Sequence, residues 1–311
     1  MMAIAFLFPG QGSQAVGMGK AFFETSAAAK AVFVEADEAL GFPLTRVIFD
    51  GPESELALTA NTQPAVLTAS VAAAAACAER GLRPALAAGH SLGEYSALVV
   101  AGALRLADAV RVVRRRGEFM QDAVPVGTGA MAAIMGMELP AVEQACADAA
   151  QGEVVEIANI NSAMQIVIAG HRTAVERAVA LAAERGGKKS ILLPVSAPFH
   201  CSLMAPAAAR LARELERIAI ADPALPVVRN VDAEVTRTAA AVAPSLLGQV
   251  ASPVRWTACV ERLAAEGATT FVEVGPGRVL SGLLRRIVDG ARGLSVEDPM
   301  TLDKTLAAAA S

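Results

Sequence analysis

The sequence predicts an α/β fold in which a parallel sheet carries helices on both faces. Short apolar runs typical of strands alternate with longer helical runs, and glycine-rich turns follow the first two predicted strands. The alanine-rich composition favours helices. With 311 residues, 54% hydrophobic and 19% charged, the chain can bury one large core and a smaller one.

The first elements follow this alternation. Residues 3–8 predict a buried strand, and 85–88 predict a second, shorter one. Residues 63–80 predict a helix with Pro64 in its first turn, where a missing N–H costs nothing. Residues 106–124 predict a long amphipathic helix. This order is typical of a parallel sheet.

The rhythm changes near residue 126. From there the pattern is strand, helix, strand, strand, helix, strand, with the elements predicted at 129–137, 138–151, 154–161, 165–169, 172–185 and 189–195. This order is that of the ferredoxin-like unit. We therefore expect a small domain at 126–196, inserted into a large domain formed by residues 1–125 and 197–311. The large domain is expected to end with a strand at 270–274 and a last helix after Gly277.

A serine lies at the turn after the second predicted strand. Gly89, His90, Ser91, Leu92 and Gly93 form a G-x-S-x-G pattern with a helical run after it. In a nucleophile elbow the serine hydroxyl is exposed at the N-terminus of the following helix, and small neighbours make the tight turn possible. The pattern indicates acyl chemistry at Ser91 on an α/β-hydrolase-like large domain. It does not distinguish an esterase, a thioesterase, a protease and a transferase.

A serine nucleophile needs a base, and the chain has three histidines. His90 adjoins the serine, so its side chain diverges from Ser91 and is expected to pack. His171 opens a helix of the small domain and is expected to be a surface cap. His200 lies where the chain re-enters the large domain, at the predicted cleft. We therefore assign the role of general base to His200.

One arginine lies on the apolar face of its predicted helix. On a helical wheel of 106–124, Arg116 falls inside the apolar arc, whereas the other charged residues fall outside it. A buried guanidinium requires an anionic partner. That partner is either a core carboxylate or the carboxylate of a substrate, held in a bidentate manner.

Composition excludes several other classes of protein. The net charge of −4 and the absence of a long basic block argue against a nucleic-acid partner. Residues 1–8 lack a basic leader, and the alanine-rich run at 65–78 is too short to span a bilayer. The four cysteines form no C-x-x-C pair, as expected of reduced thiols in a cytoplasmic protein.

Taken together, these motifs resemble one family over nearly the whole chain. The sequence is similar to the bacterial malonyl-CoA:acyl-carrier-protein transacylases in the following stretches: FPGQGSQ at 8–14, GHSLGEY at 89–95, RRG at 115–117, PVGTGAM at 125–131, NINS at 159–162, PFHC at 198–201, QVASPVRW at 249–256 and EVGPG at 273–277.

The resemblance implies a role for each site residue. Ser91 would carry the malonyl group as an ester, and His200 would act as its base. The backbone N–H groups of Gln11 and Leu92 would form the oxyanion hole. Arg116 would bind the malonyl carboxylate.

Two further pocket residues come from the resemblance alone. The backbone carbonyl near Gln249 would orient the ring of His200. The sequence pattern by itself predicts only an exposed helical glutamine at this position. Asn161 lines the pocket in relatives, although an asparagine before a hairpin is ordinarily a turn residue. No metal and no other cofactor is required.

The resemblance also bears on selectivity and partners. Leu92 after the serine and Phe199 before the histidine are typical of family members that use malonyl rather than methylmalonyl groups. The implied partners are malonyl-CoA and an acyl carrier protein, and the chain is expected to be a monomer. Because carrier proteins are acidic, Lys188 and Lys189 are candidate docking residues, although a solvated turn explains them nearly as well.

Three alternatives stay open on the sequence. The same chemistry could serve a polyketide pathway or a malonate decarboxylase. The protein could be a serine esterase or thioesterase, but such enzymes have no reason to bury Arg116. It could also be a non-catalytic module that binds a carrier protein, but the intact pair of Ser91 and His200 argues against this.

Overall fold

Two β-sheets organise the protein, and the computed structural model describes residues 3–309. The first elements are β1 (Ala3–Phe8), α1 (Lys20–Thr25), α2 (Ala27–Leu40), α3 (Leu44–Asp50), α4 (Glu53–Leu56), α5 (Thr59–Glu79), β2 (Leu86–Gly89), α6 (Gly93–Val100) and α7 (Leu106–Asp122). Next come β3 (Gly129–Met135), α8 (Leu139–Ala150), β4 (Val155–Ser162), β5 (Gln165–His171), α9 (Arg172–Glu184) and β6 (Lys189–Leu192). After a 3-10 turn (Ser202–Met204), the chain forms α10 (Ala205–Leu215), β7 (Val227–Val228), β8 (Val235–Thr236), α11 (Ala239–Val250), α12 (Trp256–Ala265), β9 (Ala268–Val274), α13 (Val279–Leu284), β10 (Arg292–Val296) and α14 (Pro299–Ala309).

The larger sheet has the strand order β10-β9-β1-β2-β7-β8. All neighbours in it are parallel except β7 and β8. Successive residues of β1 alternate between two cores: Phe6 and Phe8 face one, Ala5 and Leu7 the other. Helices cover both faces, so the predicted parallel α/β sheet is confirmed. None of the helices within residues 3–309 is long and apolar enough to cross a membrane.

Two details of this part differ from the expectation. The helix predicted at 63–80 begins at Thr59, so Pro64 lies inside α5 rather than in its first turn. The chain also continues beyond the predicted last helix, through β10 and α14, and β10 forms the edge of the large sheet beside β9. Because β10 is short and only partly buried, it lacks the apolar run that marks β1.

The smaller sheet is built from residues 129–192 and has the order β4-β5-β3-β6. All of its neighbours are antiparallel. Alternate residues of β3 again face different cores. Ala132 and Ile134 pack against α8 and α9, whereas Met131 and Ala133 face the core of the larger sheet.

The smaller sheet is tied to the rest of the protein along β4. Ile160 N–H donates to the Val254 carbonyl, and Val254 N–H donates to the Ala158 carbonyl, both at 2.9 Å. This parallel bridge lies just before α12. The wall that β4 contributes to the cleft between the two sheets is therefore fixed by backbone hydrogen bonds.

Candidate active site

Ser91 lies at a tight turn between β2 and α6, with φ at 52°. A Cβ on Gly93 would lie 2.1 Å from the carbonyl oxygen of Phe8, and one on Gly89 would lie 1.9 Å from the backbone of Gly93. No larger residue fits at either position, because strand and helix approach each other too closely. The turn places Ser91 in the lining of a cavity, at the start of α6.

Asn230, which the sequence analysis did not single out, holds this turn in place. Its Oδ1 accepts a hydrogen bond from the Ser91 N–H at 2.7 Å, and its Nδ2 donates to the Gly89 carbonyl at 2.8 Å. Asn230 lies fully buried between β7 and β8. Its amide thus bridges both ends of a turn whose central residue has a left-handed conformation that is unfavourable for serine.

His200 faces the serine directly. Its Nε2 lies 2.7 Å from Ser91 Oγ, and its Nδ1 lies 2.8 Å from the Gln249 carbonyl oxygen. Because a carbonyl only accepts, Nδ1 carries the hydrogen and Nε2 is free to accept the serine proton. His200 itself has φ at 63°, a second strained backbone position in this cavity.

The surroundings of His200 keep it neutral. Burial first, and then the positive charge of Arg116, lower the pKa of His200 to about 3, while its hydrogen bond to Gln249 opposes this change. A neutral imidazole can accept a proton at physiological pH. The ring can therefore act as a base, and it is oriented by a carbonyl rather than by a carboxylate.

This pKa makes the stability of the protein depend on pH. In the unfolded chain His200 takes up a proton near pH 6.5, but in the folded protein it stays neutral to about pH 3. Its contribution is thus complete above pH 6.5 and is lost as the pH falls towards 3. Between pH 6 and 4, we expect the unfolding free energy of the wild type to fall by about 1.4 kcal/mol per pH unit more than that of His200→Gln.

Urea titrations of both proteins at pH 6, 5 and 4 measure this difference. The other titrating groups are shared, so their contributions cancel in the comparison. Parallel curves for the two proteins would show that His200 titrates normally in the fold.

Arg116 reaches the serine from α7. Its Nη2 donates to Ser91 Oγ at 3.2 Å and to Gln249 Oε1 at 2.9 Å, and its Nη1 donates to Gln63 Oε1 at 2.8 Å. Its guanidinium carbon lies 5.6 Å from the centre of the Tyr95 ring. Arg116 is 2% exposed, as its place in the apolar arc predicts. Gln63, on the buried face of α5, is a second residue that the sequence analysis missed.

These contacts decide between the two partners considered for Arg116. Among residues 3–309 no carboxylate oxygen lies within 4.0 Å of its guanidinium, and its buried Nε has no hydrogen-bond partner. A core salt bridge is therefore absent from the described part of the chain. The charge is held by neutral amide oxygens beside a cavity, an arrangement suited to binding an anion there.

Two residues that line this site have backbone N–H groups without an acceptor among residues 3–309. Gln11, in the loop after β1, and Leu92, next to the serine, both line the cavity. Within residues 3–309 neither N–H donates a hydrogen bond to the protein. Two free donors beside a serine form the arrangement that stabilises an oxyanion.

The cavity around Ser91 has a volume of about 110 Å³. Phe199 lines it and is 7% exposed. A second cavity of about 230 Å³ continues between the glycine-rich loop after β1, the smaller sheet and α13. The two cavities share four lining residues, Gln11, His90, Asn159 and Leu193. A narrow pocket at Ser91 thus opens into a wider channel.

Asn161 belongs to the second cavity rather than the first. It lies within β4, not in a turn, and its Oδ1 lies 2.9 Å from Nε2 of His90. The His90 ring also packs on Trp256, with 5.5 Å between the ring centres. His171 is the N-cap residue of α9, as expected, but its side chain makes no capping hydrogen bond and instead accepts one from Val154 N–H.

Lys188 and Lys189 lie at the outer edge of the smaller sheet. Lys189 begins the exposed edge strand β6 and pairs with Met135, which in turn pairs with Gln165. Gln165 lines the second cavity and lies 3.5 Å from Arg286 Nη1. The two lysines are therefore two strands away from a residue of the wider channel, and they do not line the cavity around the serine.

All four cysteines are free and buried. Cys201, beside the base, donates its thiol to the Pro198 carbonyl. Burial raises the pKa of Cys77, Cys146 and Cys201 to about 12, and it raises that of Cys259 as well. None of these thiols forms a thiolate at neutral pH. Over residues 3–309 no group of three or more His, Cys, Asp and Glu side chains is placed to hold a metal ion.

The chain is similar to a known family over almost its whole length. A sequence model of the family described as acyl transferase domain matches residues 5–300. A malonyl CoA-acyl carrier protein transacylase of Bacillus subtilis (strain 168) is 50% identical over 304 residues, which cover 97% of this chain and 96% of the relative. One from Escherichia coli (strain K12) is 49% identical and covers 98% and 99%.

Solved structures give the same result. An acyl carrier protein S-malonyltransferase from Vibrio cholerae superposes with a TM-score of 0.95 at 50% identity, covering 97% of this chain and 99% of that chain. A malonyl-transacylase solved in complex with its type II PKS acyl-carrier protein has a TM-score of 0.96 at 45% identity, covering 98% and 99%.

Proposed function

The chain belongs to the acyl transferase family, and on that premise we propose that it transfers the malonyl group of malonyl-CoA to the phosphopantetheine thiol of an acyl carrier protein. This transfer supplies fatty acid biosynthesis. The observation that carries the proposal is Arg116, a buried cation that has no carboxylate partner among residues 3–309 and whose Nη2 lies 3.2 Å from the serine oxygen. Such a site favours an acyl group that ends in a negative charge.

The first half-reaction acylates Ser91. His200 Nε2 takes the hydroxyl proton while Oγ attacks the thioester carbonyl carbon. The N–H groups of Gln11 and Leu92 stabilise the charge on the carbonyl oxygen. The carbon–sulfur bond then breaks, and His200 returns the proton to the sulfur of CoA. The products are a malonyl-serine ester and free CoA.

The second half-reaction reverses these steps with another thiol. The phosphopantetheine thiol gives its proton to His200, and its sulfur attacks the ester carbonyl carbon. The bond to Ser91 Oγ breaks, and the oxygen recovers the proton from His200. The exchange is ping-pong, consumes no water and requires no metal or redox cofactor.

Phe199 and Leu92 support selectivity for malonyl over methylmalonyl groups. Both line the small cavity, and both are buried. An added methyl at the acyl α-carbon would have to compete with the Phe199 ring for space. A methyl group provides only about 1–3 kcal/mol of discrimination, so methylmalonyl-CoA would be a poor substrate but not an excluded one.

For the architecture we propose two domains. The large one, residues 1–125 and 197–311, is α/β-hydrolase-like, because its parallel sheet presents a serine between a strand and a helix. The small one, 126–196, is ferredoxin-like, because its strand order β4-β5-β3-β6 is that of two interleaved βαβ units. The cleft between them holds both cavities, with Asn161 contributed from the small-domain side.

We further propose that the protein is a cytoplasmic monomer. Four separate, unpaired thiols support a reducing compartment. Both proposed substrates, a CoA thioester and a thiol-bearing carrier protein, fit such a compartment.

A malonyl transfer assay with purified carrier proteins tests the function. The enzyme is mixed with malonyl-CoA and with a fatty acid or a polyketide carrier, and mass spectrometry follows the carrier. Malonylation of the fatty acid carrier is the expected result. Preference for the polyketide carrier would favour a role in a polyketide pathway. This second candidate function has support because one relative of 45% identity was solved with a type II PKS carrier. Release of free malonate alone would indicate a thioesterase instead, and acceptance of neither carrier would favour a decarboxylase system.

We also propose that Lys188 and Lys189 take part in carrier docking. Carrier proteins are acidic, whereas this chain has a net charge of −4, so a local basic surface is needed for association. The double variant Lys188→Glu/Lys189→Glu should slow transfer to the carrier by about tenfold at low salt and flatten its salt dependence. Acylation of Ser91 by malonyl-CoA should barely change.

Lys20 and Lys30 offer a matched control. They lie on α1 and α2 and line neither cavity, so Lys20→Glu/Lys30→Glu makes the same change in net charge elsewhere. Stopped-flow rates for both half-reactions distinguish the outcomes. Equal slowing by the two double variants would exclude a specific docking role. Slowing of the acylation step would mean that the lysines contact the CoA phosphates or serve the fold.

A further inference from the structure

Glu94 is a buried carboxylate that the proposed mechanism does not use. It is the second residue of α6, three residues after the serine, and it is 1% exposed. Its Oε2 accepts from Asn230 N–H at 3.0 Å and from Gln249 Nε2 at 2.8 Å, and its Oε1 accepts from Ser245 Oγ at 3.0 Å. Burial of a carboxyl group at this depth costs free energy unless its oxygens are hydrogen-bonded.

Its contact with Gln249 is the shortest of three that set which way the Gln249 amide points. Gln249 Nε2 donates to Glu94 Oε2 at 2.8 Å, to the Ser91 carbonyl at 3.0 Å and to Asn230 Oδ1 at 3.3 Å. All three partners accept hydrogen bonds, so the NH₂ group must face them and Oε1 must face the other way. On that other side, Oε1 accepts from Arg116 Nη2 at 2.9 Å.

Gln249 in turn contacts both Arg116 and His200. Its side-chain oxygen holds Arg116, and its backbone carbonyl oxygen accepts the Nδ1 hydrogen of His200 at 2.8 Å. A reversed amide would point its NH₂ group at the guanidinium, and two donors facing each other repel. The orientation of this amide therefore affects the positions of both Arg116 and His200.

We propose that Glu94 is a positioning residue of the acyl transfer site, which acts through Gln249 to fix the guanidinium of Arg116 and the ring of His200. The proposal rests on the proposed function, and it adds a residue that touches neither substrate nor the reacting atoms. Burial raises the pKa of Glu94, whereas its hydrogen bonds from Asn230, Gln249 and Ser245 and the nearby charge of Arg116 oppose that rise.

The isosteric variant Glu94→Gln tests this. The new amide can present either an oxygen or an NH₂ group to Gln249, so the shortest contact that orients the Gln249 amide is no longer fixed as an acceptor. In single-turnover acylation with malonyl-CoA, the rate constant should fall at least about tenfold. The final amount of malonyl-serine per chain should equal that of the wild type, because Ser91 and the fold are intact.

Ser245→Ala is the matched control from the same buried cluster. It removes the third donor to Glu94 but leaves the contact with Gln249, so we expect less than about a threefold change in its rate constant. Equal losses in both variants, or a rate for Glu94→Gln within threefold of wild type, would overturn the proposal. A reduced endpoint in Glu94→Gln would show a merely structural role. Absence of acylation in the wild type would refute the proposed function instead.

One measurement needs no active variant. In wild-type protein carrying ¹⁵N-glutamine, the Gln249 side-chain amide should exchange its hydrogens with solvent slowly, because both are held by buried acceptors. The resonance is assigned by its loss in Gln249→Ala. Rapid exchange would show that the amide is not held, and the proposal would be wrong even if Glu94→Gln failed to fold.

Discussion

Incubation with malonyl-CoA is expected to leave one malonyl group on the protein, on the peptide that contains Ser91. Ser91→Ala should abolish both this adduct and transfer to the carrier. In the wild type, Ser91 Oγ lies 2.7 Å from His200 Nε2, and the substituted chain has no hydroxyl at this position. Loss of a nucleophile that works as a unit with its base costs on the order of 10⁶-fold in rate. Intact-mass and peptide-mass measurements detect the adduct.

Cys201 provides the internal check. It is the side chain next to the base, but it is fully buried and its thiol donates to the Pro198 carbonyl. Cys201→Ser should therefore retain the adduct on Ser91. A malonyl group found at Cys201, or transfer that persists in Ser91→Ala, would disprove the assignment of the nucleophile.

Substitution of Arg116 should change which acyl group the enzyme accepts. Arg116→Ala removes the cation beside the serine, so the malonyl carboxylate would enter a buried site without a partner. We expect malonyl transfer to fall by about 10²–10³-fold, which corresponds to about 3–4 kcal/mol. Acetyl transfer should persist or increase, because a neutral acyl group needs no cation. Rates of acylation with malonyl-CoA and acetyl-CoA measure the ratio.

Two further variants sharpen this experiment. Arg115→Ala changes the neighbouring residue on the same helix, whose side chain is 58% exposed and pairs with Glu118, so both rates should stay near the wild type. Arg116→Lys keeps the charge but loses the planar fork that binds Gln63 and Gln249, so it should recover only part of the malonyl rate. Equal losses with both acyl groups would mean that Arg116 serves the fold.

The sequence predicted the parts of this site that depend on local pattern. The turn around Ser91 could be predicted because two glycines, a strand and a helix are adjacent in the chain. The burial of Arg116 could be predicted because helical periodicity alone places it in an apolar arc. Both features need only residues within about one element of each other.

The contacts that local pattern could not predict join residues far apart in the chain. Asn230 is 139 residues from the serine it holds, and Gln249 is 133 residues from Arg116. Gln249 is fully buried, although its pattern suggested an exposed helical glutamine, because tertiary contacts with Glu94 and Arg116 satisfy its amide. No local periodicity marks such a residue, since the donors and acceptors that justify its burial are supplied by other elements.

Because the four cysteines are buried, they are protected from reaction with thioesters and disulfides in the surrounding solution. The proposed reaction releases one free thiol, CoA, and consumes another on the carrier. Cys201 lies beside the base, yet burial raises its pKa to about 12, and the other three thiols are buried as well. None of them forms the thiolate that attacks a thioester or a disulfide. The protein can therefore work among coenzyme A and its oxidised dimer without acylating its own cysteines or forming mixed disulfides. Its activity should accordingly not depend on added reductant.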